Sequence, residues 1–194
     1  YLCHYTLEKK NADAKPAAKS GTSCESCHGA SSDWLALHDN YGGKDVKREQ
    51  EAPDHKIKRI ADSQAAGLIW PSMQFEVAEN CMTCHGLAHP DLKADDLAKM
   101  LGAGHPINTD FELVKYSQGS VRHRHYPPDI KTNAEMTPQE LANIYAVGQA
   151  AALVSASEAI SKSSEEKYKE AQKKRVEIAK GALSGISEAS GLLA

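Results

Sequence analysis

Two five-residue segments of this 194-residue chain combine cysteine and histidine in the same order and spacing. They are Cys24–His28 and Cys81–His85, and each reads Cys-x-x-Cys-His. This spacing is typical of c-type haem attachment, because each thiol can add to one haem vinyl group while the histidine ligates the iron. We therefore predict two haem c sites, which use the residues Cys24, Cys27 and His28 and the residues Cys81, Cys84 and His85.

The start of the chain carries an incomplete third copy of the pattern. Cys3 and His4 match its last two residues. We predict a third haem c there, with Cys3 as the thioether residue and His4 as the proximal ligand. The alternative is a chance terminal pair. With three sites, all five cysteines are used and none is left for a disulfide.

A structural zinc site and a dithiol redox site are the competing interpretations. Zinc ribbons usually place their second cysteine pair roughly 15–20 residues after the first, whereas the whole segment 28–80 separates the pairs here. A dithiol motif usually occurs once, near a βαβ pattern that this sequence lacks. A histidine directly after each pair has a function in haem binding and none in a ribbon, so haem is favoured.

Composition limits the remaining classes. The chain is of a size for one domain, or for a compact domain with an appendage. Only 6% of its residues are aromatic, which suits a core filled by porphyrin. The net charge is −3, with no basic stripe interleaved with aromatics, so we predict no nucleic-acid binding. No run of about 18 apolar residues is present, so we predict no transmembrane segment.

Periodicity and capping signals predict an all-α protein with haem at its core and an antiparallel helical hairpin at its C-terminus. No strand pattern is visible, and segment 11–23 is expected to be a surface connector. Gly29 and Gly86, which follow the two motifs, are expected to turn the chain out of the binding helices. We predict a haem domain over residues 1–136 and the hairpin over 137–194. The predicted helices span 53–66, 71 to about the second motif, 93–101, 109 to about 119, 137 to about 160, and 165 to about 186. Capping boxes are predicted at Thr109 with Glu112 and at Thr137 with Glu140.

Two features of the predicted hairpin have open interpretations. The cluster Lys173-Lys174-Arg175 is either a docking patch for an acidic redox partner or a solvated helix face, and nearby glutamates favour the solvated face. An alanine-rich stripe on the first hairpin helix is either an intramolecular contact or an oligomer interface, and the sequence favours neither.

The sixth iron ligand distinguishes an electron carrier from a catalyst or a gas sensor. His105, between Gly104 and Pro106, ranks first as a distal ligand, followed by His38, His123 and His55. His89 follows His85 by only four residues, so it lies too close to the proximal side of that haem to reach its distal side. The methionines are the alternative ligands, with core packing as their other interpretation, and we predict bis-histidine ligation. The methionines are Met73, Met82, Met100 and Met136.

The order of these motifs resembles the multihaem cytochrome c family related to the tetrahaem cytochrome c of nitrifiers. The resemblance covers residues 3–128 and includes Cys3-His4-Tyr5-Thr6, both complete motifs, Trp34-Leu35 with His38, Ala103-Gly104-His105-Pro106 and Phe111-Glu112-Leu113. It implies closely packed haems with largely His/His ligation, in which His38, His105 and His123 are distal ligands and His55 is a further candidate. The chain departs from the family pattern in two respects. It has three sites rather than four, and its tail from Thr137 has no counterpart in the family.

We therefore expect an electron-transfer cytochrome that relays single electrons between redox protein partners. The resemblance places it in the periplasm or on the extracellular face of a bacterial cell. Because haem is attached covalently outside the cytoplasmic membrane in bacteria, we also expect that a leader has been removed. One alternative is a small-molecule redox enzyme with one open haem site, where Arg122 or Arg124 positions an anion. The other is a subunit of a larger assembly, a membrane-associated complex or a filament, joined through the hairpin.

Overall fold

The structure is a computed structural model that describes residues 2–120 and 134–190. The chain divides into two compact units, Tyr1–Met73 and Gln74–Ala194, which we describe separately. The predicted boundary after residue 136 does not coincide with this division, because the two C-terminal helices pack against the segment that carries the second motif. The described residues are mostly helical, as predicted for an all-α protein.

Two short antiparallel strands lie in the first unit, β1 (Thr6–Glu8) and β2 (Ala17–Ser20). The prediction that the chain has no strands is therefore wrong, and part of the predicted connector is β2. Strands of three and four residues are too short to show alternation in the sequence. Their pairing is instead stabilised by a side-chain contact, because the Thr6 hydroxyl donates to the Gly21 carbonyl at 3.0 Å.

Three helices follow in this unit: α1 (Glu25–His28), α2 (Leu35–His38) and α3 (Pro53–Ala65), with a 3-10 turn at Arg48–Gln50 before α3. The predicted start and stop of α3 are confirmed. Pro53 occupies the first turn, where a missing N–H costs nothing. Gly67 ends the helix with φ +98, a left-handed conformation that favours glycine.

The first unit has a small apolar core. Among its described residues, Trp34 and Leu68 are the buried hydrophobic side chains. Leu35 and Ile57 are 57% and 69% exposed. Protein side chains alone therefore cover little apolar surface here, although apolar burial is the main stabilising term in folding.

The second unit contains α4 (Gln74–His85), α5 (Ala94–Gly102), α6 (Pro138–Lys162) and α7 (Glu166–Ser190). Three residues join α6 to α7, and these two helices pack on each other, while α4 packs on α6 and α5 on α7. Two apolar clusters form its core. One contains Ala78, Leu113, Ile144 and Ala151, and the other contains Leu87, Leu97, Ala159 and Tyr168. Of the predicted stripe, Ile144 and Gly148 are buried within the unit and Ala152 is half-buried.

The start of α6 follows its sequence signal. The Glu140 backbone N–H donates to the Thr137 hydroxyl at 3.3 Å, and the Thr137 N–H donates to the Glu140 carboxylate at 2.8 Å. This reciprocal pair is the predicted capping box.

The capping box predicted at Thr109 is wrong. The Thr109 N–H donates to the Ile107 carbonyl, and the Glu112 carboxylate caps the next turn by accepting from Val114 and Lys115 N–H at 2.7 and 2.9 Å. A helical turn begins there and continues as a π-helical turn over Lys115–Ser120. An asparagine-led turn at 108–110 competes with the helix, because side-chain amides bind nearby backbone donors.

No helix among the described residues is long and apolar enough to cross a membrane.

Candidate haem sites

The first motif forms one helical turn. Its conformation is helical from Cys24 onward, and the His28 N–H donates to the Cys24 carbonyl at 2.9 Å. Residues spaced i, i+3 and i+4 share one face of a helix. The side chains of Cys24, Cys27 and His28 therefore start from the same face, as attachment of one porphyrin through two thiols and an imidazole requires.

The backbone of Ile69 fixes His28 from two directions. The His28 ring Nδ1 lies 2.8 Å from the Ile69 carbonyl, and the Ile69 N–H donates to the His28 carbonyl at 2.9 Å. A carbonyl only accepts, so Nδ1 carries the proton and the neutral ring has its lone pair on Nε2. Metal-ligating histidines usually donate their second ring nitrogen in this way, which sets the tautomer and ring orientation.

The second motif occupies the last turn of α4. Cys81, Cys84 and His85 again have i, i+3 and i+4 spacing and share a face. The His85 ring stacks on Phe111 at 4.1 Å between centroids and meets the edge of Tyr116 at 5.1 Å. Burial lowers the pKa of His85, so its imidazole is neutral at neutral pH, which is the form that ligates metals.

Two predicted distal ligands have the same tautomer as His28. The His38 Nδ1 donates to the Leu35 carbonyl at 2.7 Å, and the His105 Nδ1 donates to the Pro106 carbonyl at 2.8 Å. In both rings the neutral form therefore has its lone pair on Nε2. His38 ends α2 and packs edge-on to Trp34 at 5.3 Å.

His55, ranked last from sequence, has the most elaborate support. Its Nδ1 lies 2.8 Å from the Glu51 carboxylate, and Arg59 donates to both oxygens of that carboxylate at 2.7 Å. The Glu51 side chain is 2% exposed. The pairing with Arg59, then with His55, lowers the Glu51 pKa to about 2. A carboxylate that accepts from histidine Nδ1 orients the ring and raises its basicity as a metal ligand.

The remaining histidines differ. The His89 Nδ1 accepts the Asp91 N–H at 3.2 Å, which puts the ring proton of the neutral form on Nε2 and disfavours metal ligation there. Cys3 and His4 lie in a turn before β1. His123 lies outside the described residues, as do Arg122 and Arg124.

Helix α7 covers the end of the second motif. The Tyr168 hydroxyl donates to the Leu87 carbonyl at 2.7 Å, and the Gln172 amide donates to the Gly86 carbonyl at 3.0 Å. Arg175 donates to the same Gly86 carbonyl and to the Met82 sulfur, both at 3.3 Å. These contacts satisfy carbonyls that the helix end leaves without intrahelical partners.

The surface location expected for Arg175 is wrong. It is 4% exposed, whereas Lys173 and Lys174 are exposed. Burial lowers the Arg175 pKa to about 10, so it remains protonated at neutral pH. Among the described residues, no carboxylate lies within ion-pairing distance of its guanidinium. The three-residue cluster is therefore neither a continuous docking patch nor a uniformly solvated face.

The glycines that follow the two motifs are required for different structural reasons. Gly29 has φ +85, which confirms its predicted turn. At the second motif Leu87, with φ +50, takes the left-handed conformation, so the turn predicted at Gly86 is displaced by one residue. Gly86 is required by close approach, because a Cβ there would lie 2.6 Å from Arg175 Cζ and 2.5 Å from the Met82 carbonyl oxygen.

A cavity of about 440 Å³ lies beside this region. Arg175, Met82 and Phe111 line it, together with Asp110 and Glu112. It therefore adjoins the buried guanidinium and the ring that stacks on His85.

All five cysteines lie in the described part of the chain, and none forms a disulfide. Within that part, no three side chains of His, Cys, Asp or Glu cluster as a metal ion bound by protein alone would need. A haem iron requires no such group, because the porphyrin supplies four of its ligands.

We compared the chain with models of known protein families, with curated proteins and with solved structures, and none of the three comparisons gave a match. The resemblance to multihaem cytochromes therefore remains a prediction from the sequence.

Sequence reasoning missed the residues that support the candidate ligands. Glu51 precedes His55 by four residues, a spacing that could have indicated the pair. The Ile69 carbonyl and the stacking of Phe111 on His85 have no local signal in the sequence, since they join residues far apart along the chain.

We predict that Glu51→Gln destabilises the Tyr1–Met73 unit by about 3 kcal/mol, because it leaves the largely buried Arg59 without its charge partner. The folded-state pKa of Glu51 lies below its unfolded value, so its stabilisation is present above about pH 4.5 and is lost as the pH falls toward 2. Urea unfolding at several pH values measures this. The stability difference between the parent and the variant should shrink as the pH falls.

Asp62→Asn is the matched control, since Asp62 pairs with Lys58 on the exposed face of α3. Exposed pairs contribute about 0–1 kcal/mol. Equal losses in the two variants would contradict a special role for Glu51.

Proposed function

We propose that the chain is an electron-transfer multihaem cytochrome c, which relays single electrons between redox protein partners through covalently bound haems. Two haems are attached at Cys24 with Cys27 and at Cys81 with Cys84, and a third at Cys3. His28, His85 and His4 are their proximal ligands. Haem c supplies a one-electron iron couple, and the protein sets its potential through axial ligands, burial and hydrogen bonding.

The observation that carries the proposal is the shortage of apolar core in the Tyr1–Met73 unit. Its described residues bury two hydrophobic side chains, Trp34 and Leu68, and leave Leu35 and Ile57 largely exposed. Small units usually need a disulfide or a metal-type cofactor to compensate for such a core. The spacing of its cysteines in the first motif is that of haem attachment. A porphyrin would supply the missing apolar surface.

The imidazole tautomers support iron ligation through Nε2. In His28, His38 and His105, Nδ1 donates to a backbone carbonyl, and in His55 it donates to Glu51. The chain thus orients each ring before it binds iron. We propose that distal ligands come from His38, His55, His105 and His123, so that ligation is mainly bis-histidine.

Bis-histidine ligation predicts that the reduced protein binds no carbon monoxide and that near-infrared magnetic circular dichroism gives a His/His signature. Because three irons draw on four candidates, at least two of the variants His38→Ala, His55→Ala and His105→Ala should open an iron and introduce carbon monoxide binding. His89→Ala is the matched control and should leave binding absent. A methionine signature in the parent protein, or strong carbon monoxide binding by it, would exclude full bis-histidine ligation and favour an open-site enzyme.

We propose that porphyrins form the core of the haem-binding part and that α6 and α7 are the antiparallel hairpin predicted from sequence. By its resemblance to multihaem cytochromes, the protein functions in the periplasm or on the extracellular face of a bacterial cell. Its partners are other redox proteins.

Intact mass of the purified native protein tests the central claim. Each covalently attached porphyrin adds a fixed mass that survives denaturation, so the total counts the haems. We expect two increments from the complete motifs and a third from Cys3. A colourless protein, or pigment that acidified organic solvent removes, would overturn the proposal.

A further inference from the structure

The helix that carries the second motif has a buried positive charge at its C-terminal end. Arg175 is 4% exposed and donates to the Gly86 carbonyl and the Met82 sulfur, both at 3.3 Å, and to the Gln172 amide oxygen at 2.7 Å. Burying a charge without a charged partner is strongly unfavourable. The carbonyl end of the α4 dipole offsets part of that cost.

A neutral side chain could make similar contacts at lower cost. Glutamine donates hydrogen bonds to carbonyls, and methionine packs in irregular apolar space. The contacts alone therefore do not account for a guanidinium at this position. The guanidinium differs from these side chains in its permanent charge. This charge lies next to Met82, which is inside the second motif, and next to Gly86, which directly follows the motif.

The first motif contains a negatively charged residue. Glu25 lies between Cys24 and Cys27, and its carboxylate accepts the Ser31 N–H at 2.7 Å. The corresponding position of the second motif is the neutral Met82. In addition, the His28 ring donates to the Ile69 carbonyl, which strengthens the imidazole as an electron donor. Negative charge and a stronger donor both stabilise ferric iron, whereas positive charge destabilises it.

We propose that Arg175 raises the reduction potential of the haem bound at Cys81 and Cys84 above that of the haem bound at Cys24 and Cys27. A haem held by Cys81, Cys84 and His85 would supply a one-electron iron couple that accepts an electron from a reduced redox protein, and its ferrous form would carry one positive charge fewer. Arg175 acts on the haem through its charge and touches no reacting atom. This inference rests on the proposed function.

Redox titration of the holoprotein, followed by optical spectroscopy, tests the role of Arg175. The upper couple is the haem bound at Cys81 and Cys84, and the lower couple is the haem bound at Cys24 and Cys27. Arg175→Gln should lower the reduction potential of the upper couple, with about a tenfold change in its reduction equilibrium, or about 59 mV for one electron. The lower couple should not move. Arg175→Lys should keep most of the difference. Lys174→Gln, which removes one exposed charge from the neighbouring position, should leave both couples unchanged.

A second variant covers the case in which Arg175→Gln does not fold. Gln172→Glu places a carboxylate against the guanidinium and neutralises its charge, so it should also lower the upper couple. Unchanged potentials in a variant that carries its full haem count would overturn the inference while leaving the proposed function intact. A parent protein without covalent haem would instead overturn the proposed function.

Discussion

Cys24→Ala/Cys27→Ala should remove one haem and unfold the Tyr1–Met73 unit, whereas Cys81→Ala/Cys84→Ala should remove one haem and leave its helices folded. The first unit buries little apolar side-chain surface of its own. The second has two apolar clusters that include residues of α6 and α7. Loss of one porphyrin therefore removes a larger share of the apolar core in the first unit than in the second.

Intact mass and limited proteolysis measure these two outcomes. Cleavage within residues 1–73 of the first variant should accelerate on the order of 100-fold, which corresponds to a loss of about 3 kcal/mol in opening free energy. Cleavage within α6 and α7 should change little in either variant. Cys3→Ala serves as the single-cysteine control and reports whether the third site contains a haem. Equal protection of both units in both variants would contradict a haem-dependent core.

Gly86→Ala should destabilise the second unit by about 3 kcal/mol. The added Cβ would lie 2.5 Å from the Met82 carbonyl oxygen and 2.6 Å from Arg175 Cζ, both closer than real Cβ atoms approach. Relief requires displacement of Arg175, which gives up its hydrogen bonds to the helix end, together with a backbone shift near Met82. Denaturant unfolding monitored by circular dichroism measures the change.

Gly181→Ala is the matched control for that substitution. Gly181 lies inside α7, and a Cβ there would meet no atom within 4 Å. Alanine in a helix interior is about 0.5–1 kcal/mol more favourable than glycine, so this variant should be slightly more stable. The double variant Gly86→Ala/Arg175→Ala should cost less than the sum of the single changes, because each disturbs the same contact. A neutral Gly86→Ala would show that α7 does not approach the motif so closely.

Local signals in the sequence predicted the helices well. Pro53 and Gly67 mark the limits of α3, and Thr137 with Glu140 marks the start of α6, because caps and stops depend on neighbouring residues. The strands β1 and β2 and the cap at Glu112 were missed. The strands depend on pairing across the chain, and at Thr109 a side-chain turn competed with the predicted box.

The candidates for haem attachment can be recognised without a structure, because the order and spacing of Cys24–His28 and Cys81–His85 are local properties. The surroundings of these residues depend on the fold. It places the Ile69 carbonyl against His28, the Phe111 ring against His85, and Arg175 inside the protein at the end of α4. Each of these contacts joins residues well separated along the chain, and burial, which sets the cost and effect of a charge, depends on what packs around it.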